Sequence, residues 1–334
     1  MGDRSGMQMR EFRRCAEWSN FMIVDVANVA LPVDERLMIR KQRIEPLEKH
    51  DGQKRICVVT GIHGDELEGQ AVCYRLINEI RSHMEYLDGI VDIYPAINPL
   101  GIDSISRGIP LFDLDMNRIF PGNGAGTVAE YAAYEVVKDI TGADMCIDIH
   151  ASNIFLREIP QVRINEFTAA ALVPYAKFVN ADFIWVHQSA TVLQSTLAHT
   201  MNSRGVPTLV VEMGVGMRTT QEYTNQLTSG LLNLMHEMGI WKGPVDPVRE
   251  PIVSEDGQVG FVNAEASGLF LPKVKFWSNV VAGQHIGDIV SPLTGEILQR
   301  VEACIDGILF TLREYPMVYQ GALLARILGG EELA

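Results

Sequence analysis

Apolar residues are distributed along the chain in two different patterns. Five short runs are mainly apolar and rich in β-branched residues, which is typical of strands buried on both faces: 56–60, 91–97, 145–149, 183–186 and 208–211. Between them a helical period predicts helices near 66–83, 127–141, 194–203 and 220–238. This alternation predicts an α/β fold with a mixed, largely parallel sheet flanked by helices. The functional site is expected outside the carboxyl ends of the strands.

The pattern changes near residues 241–247, where glycine and proline punctuate the chain. Short apolar segments then alternate with turn signals at Glu255-Asp256-Gly257, Ala266-Ser267-Gly268 and Leu293-Thr294-Gly295. We therefore predict two domains, a catalytic domain at residues 1–245 and an all-β, barrel-like C-terminal domain at residues 246–334 that caps the cleft.

Charge and cysteine content narrow the class of protein. The 334 residues include 42 acidic and 28 basic ones, giving a net charge of −14, and no run is rich in Lys or Arg. Nucleic acid and anionic membranes are therefore poor candidate partners. No segment is long enough to span a bilayer or resembles a signal peptide. The five cysteines are odd in number and far apart, which predicts reduced, buried thiols and a cytoplasmic location.

The strongest local signal is the segment Thr60-Gly61-Ile62-His63-Gly64-Asp65-Glu66, which follows a predicted strand and opens a predicted helix. An imidazole and a carboxylate three residues apart can converge on one cation, and this pair of ligands suits zinc. A helix N-terminus that carries acids because the helix dipole favours them explains this segment equally well.

A second strand, Met145–Ile149, ends next to His150. A single histidine at a strand end is more often packed than functional. Two strand ends that deliver His63, Glu66 and His150 would, however, form a His₂Glu site with one position left for water, as in catalytic zinc sites.

Two further segments carry candidate chemistry. In the turn-rich loop, Asn117 and Arg118 can fork onto a carboxylate, although a solvated Arg beside a turn Asn is the common alternative. The strand at 208–211 ends in Glu212, whose partial burial would raise its pKa toward that of a general base. Considered alone, Glu212 is more simply interpreted as a glutamate at a strand end whose side chain is exposed to solvent.

Together these segments resemble the succinylglutamate desuccinylase/aspartoacylase family of zinc carboxypeptidase-like hydrolases. The resemblance rests on the order of Gly-x-His-Gly-x-Glu, Asn-Pro, Asp-x-Asn-Arg with Phe-Pro-Gly, Asp-x-His and a strand-end Glu. It implies one zinc ion per chain on His63, Glu66 and His150, with Glu212 as the base. It also implies that Asp115 orients the first histidine.

The same resemblance implies roles for three residues around the scissile bond. Arg107 would polarise the carbonyl and stabilise the oxyanion, while Asn117 and Arg118 would bind the substrate carboxylate. The segment after His150 departs from the named enzymes, and its Arg157 and Arg163 are either binding residues for a second anionic group or ordinary surface arginines.

The predicted function is zinc-dependent hydrolysis of the amide bond of a small, anionic N-acylated amino acid. A metallocarboxypeptidase acting on short peptides and a non-catalytic metal-binding or ligand-binding protein are the alternatives. The sequence leaves the acyl group, the amine and the native metal open. It also leaves open whether the chain forms a homo-oligomer.

Overall fold

The computed structural model describes residues 20–188, 194–255 and 258–330. The strands in these ranges are β1 (Phe21–Ala30), β2 (Arg36–Ile44), β3 (Arg55–Thr60), β4 (Ile90–Tyr94), β5 (Met145–Ala151), β6 (Leu156–Asn165), β7 (Phe183–His187), β8 (Thr208–Gly214), β9 (Ile252–Glu255), β10 (Val259–Asn263), β11 (Gly268–Pro272), β12 (Ser278–Val280), β13 (His285–Val290), β14 (Ile297–Glu302), β15 (Gly307–Arg313), β16 (Met317–Val318) and β17 (Leu323–Gly329). The α-helices are α1 (Glu68–Ser82), α2 (Pro99–Asp103), α3 (Val128–Ile140), α4 (Glu166–Ala176), α5 (Leu197–Ser203) and α6 (Gln221–Glu237).

Four parallel strands form the centre of the large sheet in the order β4-β3-β5-β8. Strands β2 and β6 flank this centre and run antiparallel to their neighbours β4 and β8. Every residue of β5 is buried, as expected for a strand covered on both faces. The predicted fold class, a mixed and largely parallel sheet flanked by helices, is confirmed.

Helices cover the sheet on both faces. On one face, α1, α4 and α6 pack on apolar side chains of β3, β5 and β8 in one continuous core. On the other face, α3 and α5 pack on the alternate side chains of β3 and β5. A capping box between Thr127 and Glu130 starts α3 where the sequence predicts it. The five predicted strands and four predicted helices are all present, with ends shifted by a few residues.

The C-terminal region is an antiparallel β structure with its own core. Strands β14-β13-β11-β16 form a separate four-stranded sheet, and β15, β17 and β10 extend the large sheet. The extension is direct, since β15 pairs with β6 and β9 pairs with β7. The division into domains at residues 245 and 246, which falls between α6 and β9, stays a prediction.

Three cysteines, Cys57, Cys73 and Cys146, are buried free thiols as predicted. The prediction is wrong for Cys304, which is free but exposed, because it lies in the turn after β14 rather than inside a strand. Cys15 lies outside the described residues. No helix in the described ranges is both long and apolar enough to cross a bilayer.

Candidate active site

Three strand ends bring the predicted metal ligands and base together. The loop after β3 carries His63 and Glu66, and β5 carries His150 near its end. Parallel pairing places Glu212 of β8 directly beside His150. Because carboxyl ends of parallel strands lie at one edge of a sheet, residues more than 140 positions apart share one site.

The loop that holds His63 depends on close backbone packing. Gly61 has φ of +69°, a left-handed conformation that favours glycine. At Gly64 a Cβ atom would lie 2.0 Å from the carbonyl carbon of Gly101. The Gly64 amide also faces the carbonyl oxygens of Ser106 and Arg107, at 3.1 and 3.3 Å. The loop is thus held against the segment that carries Arg107.

His63, Glu66 and His150 are buried, and one ligand atom from each lies within 4.8 Å of the other two. The His63 Nδ1 atom is 2.8 Å from Glu66 Oε1, and His150 Nδ1 is 3.0 Å from Glu66 Oε2. Ligand atoms about 2.1 Å from a tetrahedral ion would lie about 3.4 Å apart. The three side chains therefore converge as metal ligands do.

Two further observations test whether this cluster suits a cation. His63 Nδ1 is buried and makes no hydrogen bond with any described residue, even though Glu66 lies close to it. Burial lowers the pKa of His150, but Asp148 and Glu66 raise it well above its ordinary value. Such strongly negative surroundings favour a positive charge, and two imidazoles with one carboxylate are ligands that zinc accepts. The buried His63-Glu66-His150 group can hold a metal ion.

A carboxylate lies behind each imidazole. Asp115 Oδ1 is 3.1 Å from Nε2 of His63, the histidine that Asp115 is predicted to orient. Burial raises the pKa of Asp115, but the hydrogen bond and charge of His63 bring it down to about 2. On the other side, Asp148 Oδ1 is 3.2 Å from His150 Nε2. Both histidines are therefore placed with Nδ1 toward Glu66 and Nε2 toward a carboxylate.

Glu212 stands beside the metal-ligand group rather than in it. Its carboxylate accepts a hydrogen bond from Arg163 Nη1 at 3.2 Å. Burial raises its pKa, and the charges of Arg163 and His150 oppose that rise only in part. A carboxylate with a raised pKa at the edge of a cavity has the character of a general base.

The residues expected around the scissile bond lie on the same rim. Arg107 donates from Nη1 to Glu66 Oε1 at 2.8 Å, so its guanidinium already lies beside the ligand group. Arg118 donates to the Asn117 carbonyl oxygen at 2.8 Å. The Asn117 side chain accepts a hydrogen bond from the Leu197 amide at 2.9 Å, which ties this loop to α5.

The two arginines after His150 have different surroundings. Arg157 donates to Glu314 at 3.2 Å and is not among the described residues that line the cavity. Arg163 lines the cavity, but its Nη2 donates to both carboxylate oxygens of Glu158, at 3.0 and 2.8 Å. Binding of a second anionic group by either arginine stays a prediction.

One cavity of about 910 Å³ joins these residues. Among the predicted site residues its described lining includes His63, Glu66, Arg107, Asn117, Arg118, His150, Arg163 and Glu212. It also includes Glu158, and Asp148 and Arg326, for which the sequence predicts no site role. Asp148 could have been found from its spacing, since residues two apart on a strand share a face. No local signal marks Arg326, which reaches the cavity from β17.

A family model matches residues 52–238, more than half of the chain, and describes the succinylglutamate desuccinylase/aspartoacylase catalytic domain. A curated relative, the N-alpha-acetyl-L-2,4-diaminobutyric acid deacetylase of Halomonas elongata, is 27% identical over 285 residues, which is 80% of each chain.

Solved structures show the same fold. The product-bound ectoine utilization protein EutE (DoeB) of Ruegeria pomeroyi has a TM-score of 0.76 at 22% identity, covering 92% of this chain and 93% of that chain. A succinylglutamate desuccinylase/aspartoacylase from Rhodobacter sphaeroides has a TM-score of 0.77 at 22% identity, with coverage of 92% and 95%.

Proposed function

We propose, from the premise that this chain belongs to the succinylglutamate desuccinylase/aspartoacylase family, that it is a zinc-dependent deacylase of small N-acylated amino acids. One observation carries the proposal: a buried His₂Glu group and an adjacent carboxylate with a raised pKa open onto the same cavity. The diaminobutyric acid deacetylase supports the same class of reaction, cleavage of an amide that is not a peptide bond.

His63, Glu66 and His150 would hold the zinc ion. When bound, zinc supplies a Lewis acid for the carbonyl oxygen and makes water easier to deprotonate. Asp115 and Asp148 hold the two imidazoles with Nδ1 directed at the ligand position. These contacts fix the orientation of the two rings, and such preorganisation commonly strengthens metal binding.

Glu212 is the proposed general base. It accepts a proton from the water that attacks the acyl carbon, and it later returns a proton to the leaving amine. Its raised pKa makes the first transfer easier than it would be for an exposed glutamate, because a weaker acid has a stronger conjugate base.

Arg107 is the proposed electrostatic stabiliser of the reaction. Its guanidinium lies at the rim, 2.8 Å from Glu66, where it can donate to the oxygen that becomes negative as water adds. Arg118 with Asn117 is the proposed binding site for the amino acid carboxylate, because a guanidinium binds a carboxylate with two parallel hydrogen bonds.

The proposal also covers the charge of the substrate, the cellular location and the C-terminal domain. The substrate is a small anion, and the buried free thiols of Cys57, Cys73 and Cys146 fit a reducing, cytoplasmic location. We also propose that residues 246–334 form the C-terminal domain that closes the cavity, since Arg326 of that region lines it.

The test is a hydrolysis screen with zinc-loaded protein. The panel contains N-acetyl, N-succinyl and N-formyl amino acids together with dipeptides, and the released amine is quantified. We expect turnover of at least one N-acyl amino acid and its loss on chelation. Preferential cleavage of dipeptides would point to a carboxypeptidase instead. Stoichiometric zinc without turnover of any panel member would favour a binding protein.

A further inference from the structure

Glu158 and its partners form a charge cluster on the cavity wall. Arg163 donates to both oxygens of Glu158, and Thr311 Oγ1 lies 3.3 Å from Oε1. Arg326 donates to the same oxygen. Glu158 is 1% exposed, and three of these contacts are to its Oε1 and one is to its Oε2.

The cluster leaves Arg163 with little capacity for an external anion. Its Nη2 donates to Glu158 and its Nη1 to Glu212, while its Nε, which has no partner among the described residues, is buried. An anion at Nη1 would also lie next to the negative charge of Glu212. Like charges at such close range are strongly unfavourable where water is excluded.

The charges that line the cavity lead to the same conclusion. Its described lining carries four arginines and four carboxylates, which balance: Arg107, Arg118, Arg163 and Arg326 against Glu66, Asp148, Glu158 and Glu212. A divalent ion at the His₂Glu group would leave an excess of two positive charges. One carboxylate of the substrate and the oxyanion that forms during the reaction would neutralise these two charges. No positive charge of the described lining would then remain for a second carboxylate.

We propose that Glu158 sets the substrate class by withholding Arg163 and Arg326 from the substrate, so that the enzyme selects N-acyl amino acids with one carboxylate. This inference rests on the proposed deacylase function and deepens it. Substrates with neutral or cationic side chains fit the cavity, whereas N-acylated dicarboxylic amino acids bring a charge that meets no free partner. Specificity here comes from rejection as much as from attraction.

The test compares kcat/KM for N-acetyl-L-aspartate with that for N-acetyl-L-alanine in four zinc-loaded proteins. The wild type should prefer the alanine derivative by at least about tenfold. In Glu158→Gln the two guanidiniums lose their anion, so the aspartate-to-alanine ratio should rise by at least about tenfold. Glu158→Asp keeps the charge and should stay close to the wild-type ratio.

Glu314→Gln is the matched control. Glu314 also pairs with two arginines, Arg157 and Arg218, but it is not among the described residues of the cavity wall. Its variant should keep the wild-type ratio. A wild type that prefers acetylaspartate, or a Glu158→Gln variant whose ratio does not rise, overturns the proposal. If Glu158→Gln does not fold, the wild-type ratio alone decides.

Calorimetry separates this proposal from the proposed function. Zinc-loaded wild type should bind butyrate more tightly than succinate, and Glu158→Gln should reverse that order. This readout needs no turnover. An inactive protein that shows the reversal would refute the deacylase function but retain the charge selection. If the wild type is active but binds succinate more tightly than butyrate, the deacylase function would stand and the charge selection would be refuted.

Discussion

At the residue scale, the Glu212 carboxylate lies between the Arg163 guanidinium and the strand that carries His150. Glu212→Gln keeps the size and hydrogen bonding of the side chain but removes the base. We expect kcat to fall by about 10² to 10⁴-fold, the usual contribution of a positioned acid–base group. Zinc content and KM should change little, because Glu212 is not one of the three converging ligands.

The acid limb of the rate profile supplies a control. Glu212 must be ionised to accept a proton, so activity is lost as the pH falls through its pKa. Because burial raises that pKa, the limb should lie above the range of an exposed glutamate and should be absent in Glu212→Gln. Loss of zinc from the variant would instead make Glu212 a ligand.

Asp148 provides a second prediction at this scale. Its carboxylate faces His150 Nε2 at 3.2 Å and, apart from this contact, neither oxygen has a hydrogen-bond partner among the residues that the structure describes. Asp148→Asn should weaken zinc binding by about 10 to 100-fold, because the imidazole loses the group that fixes its orientation. Competition with a chromophoric chelator measures this change. Unaltered zinc affinity in a folded variant would show that Asp148 does not position His150.

At the scale of elements, the site depends on how closely the His63 loop packs against the segment from Asn98 to Arg107. Gly64→Ala places a methyl group 2.0 Å from the Gly101 backbone, which cannot yield as a flexible side chain would. We expect the two segments to separate, zinc affinity and kcat/KM to fall by at least about tenfold, and stability to fall by about 1 to 3 kcal/mol.

Gly142→Ala is the comparison for that variant. Its added methyl meets open space, and its φ of +82° makes alanine unfavourable there for backbone reasons alone. It should lose stability yet keep zinc affinity and kcat/KM. Equal losses of activity in the two variants would assign the effect of Gly64→Ala to general destabilisation. Chemical denaturation and zinc titration measure both quantities.

Elements differ in how far the sequence predicts them. The β3 and β5 strands contain the apolar runs 56–59 and 145–147, because both faces of the sheet are covered, and such a short apolar run is enough to identify each strand. Strand β6 was not predicted, since it contains Glu158, Pro160 and Arg163 and reads as a polar segment. The Glu158 carboxylate is buried against Arg326, 168 residues away along the chain. No local pattern contains that information.

The same distinction applies to the site. Motif order was enough to group His63, Glu66, His150 and Glu212, because each sits at or just after an identifiable strand end. The partners of Arg163, which are Glu158 and Glu212, depend on how β6 is placed beside β8 in the sheet. Whether a guanidinium is free or paired is therefore a property of the tertiary structure.

At the scale of the whole molecule, an apolar cluster joins the C-terminal region to the rest. Phe310 of β15 is fully buried and stacks edge-on against Phe183 and Trp185 of the neighbouring β7 region. Phe310→Ala should cost about 3 to 5 kcal/mol, the usual range for removing a buried phenylalanine. Calorimetry should show a Tm lowered by roughly 10 °C.

The form of that transition is informative as well. Because β15 pairs with β6 in one sheet, both regions should unfold in a single transition in wild type and in Phe310→Ala. Leu293→Ala, at a site 94% exposed in the same region, should leave Tm unchanged. Two separate transitions, with only the second one shifted by Phe310→Ala, would show that the regions unfold independently.

The pairing of β6 with β15 has a consequence for how such enzymes diversify. The strands that carry or precede the proposed metal ligands lie at the centre of the sheet. In the proposed selection of substrates, β6 and β17 supply the part of the cavity wall that faces the charge of the substrate. Substitutions in this part of the wall can therefore change which substrates bind while the proposed metal ligands stay in place. A laboratory library confined to residues 158, 311 and 326 would sample that freedom directly, because it leaves the contact between Arg163 and Glu212 in place.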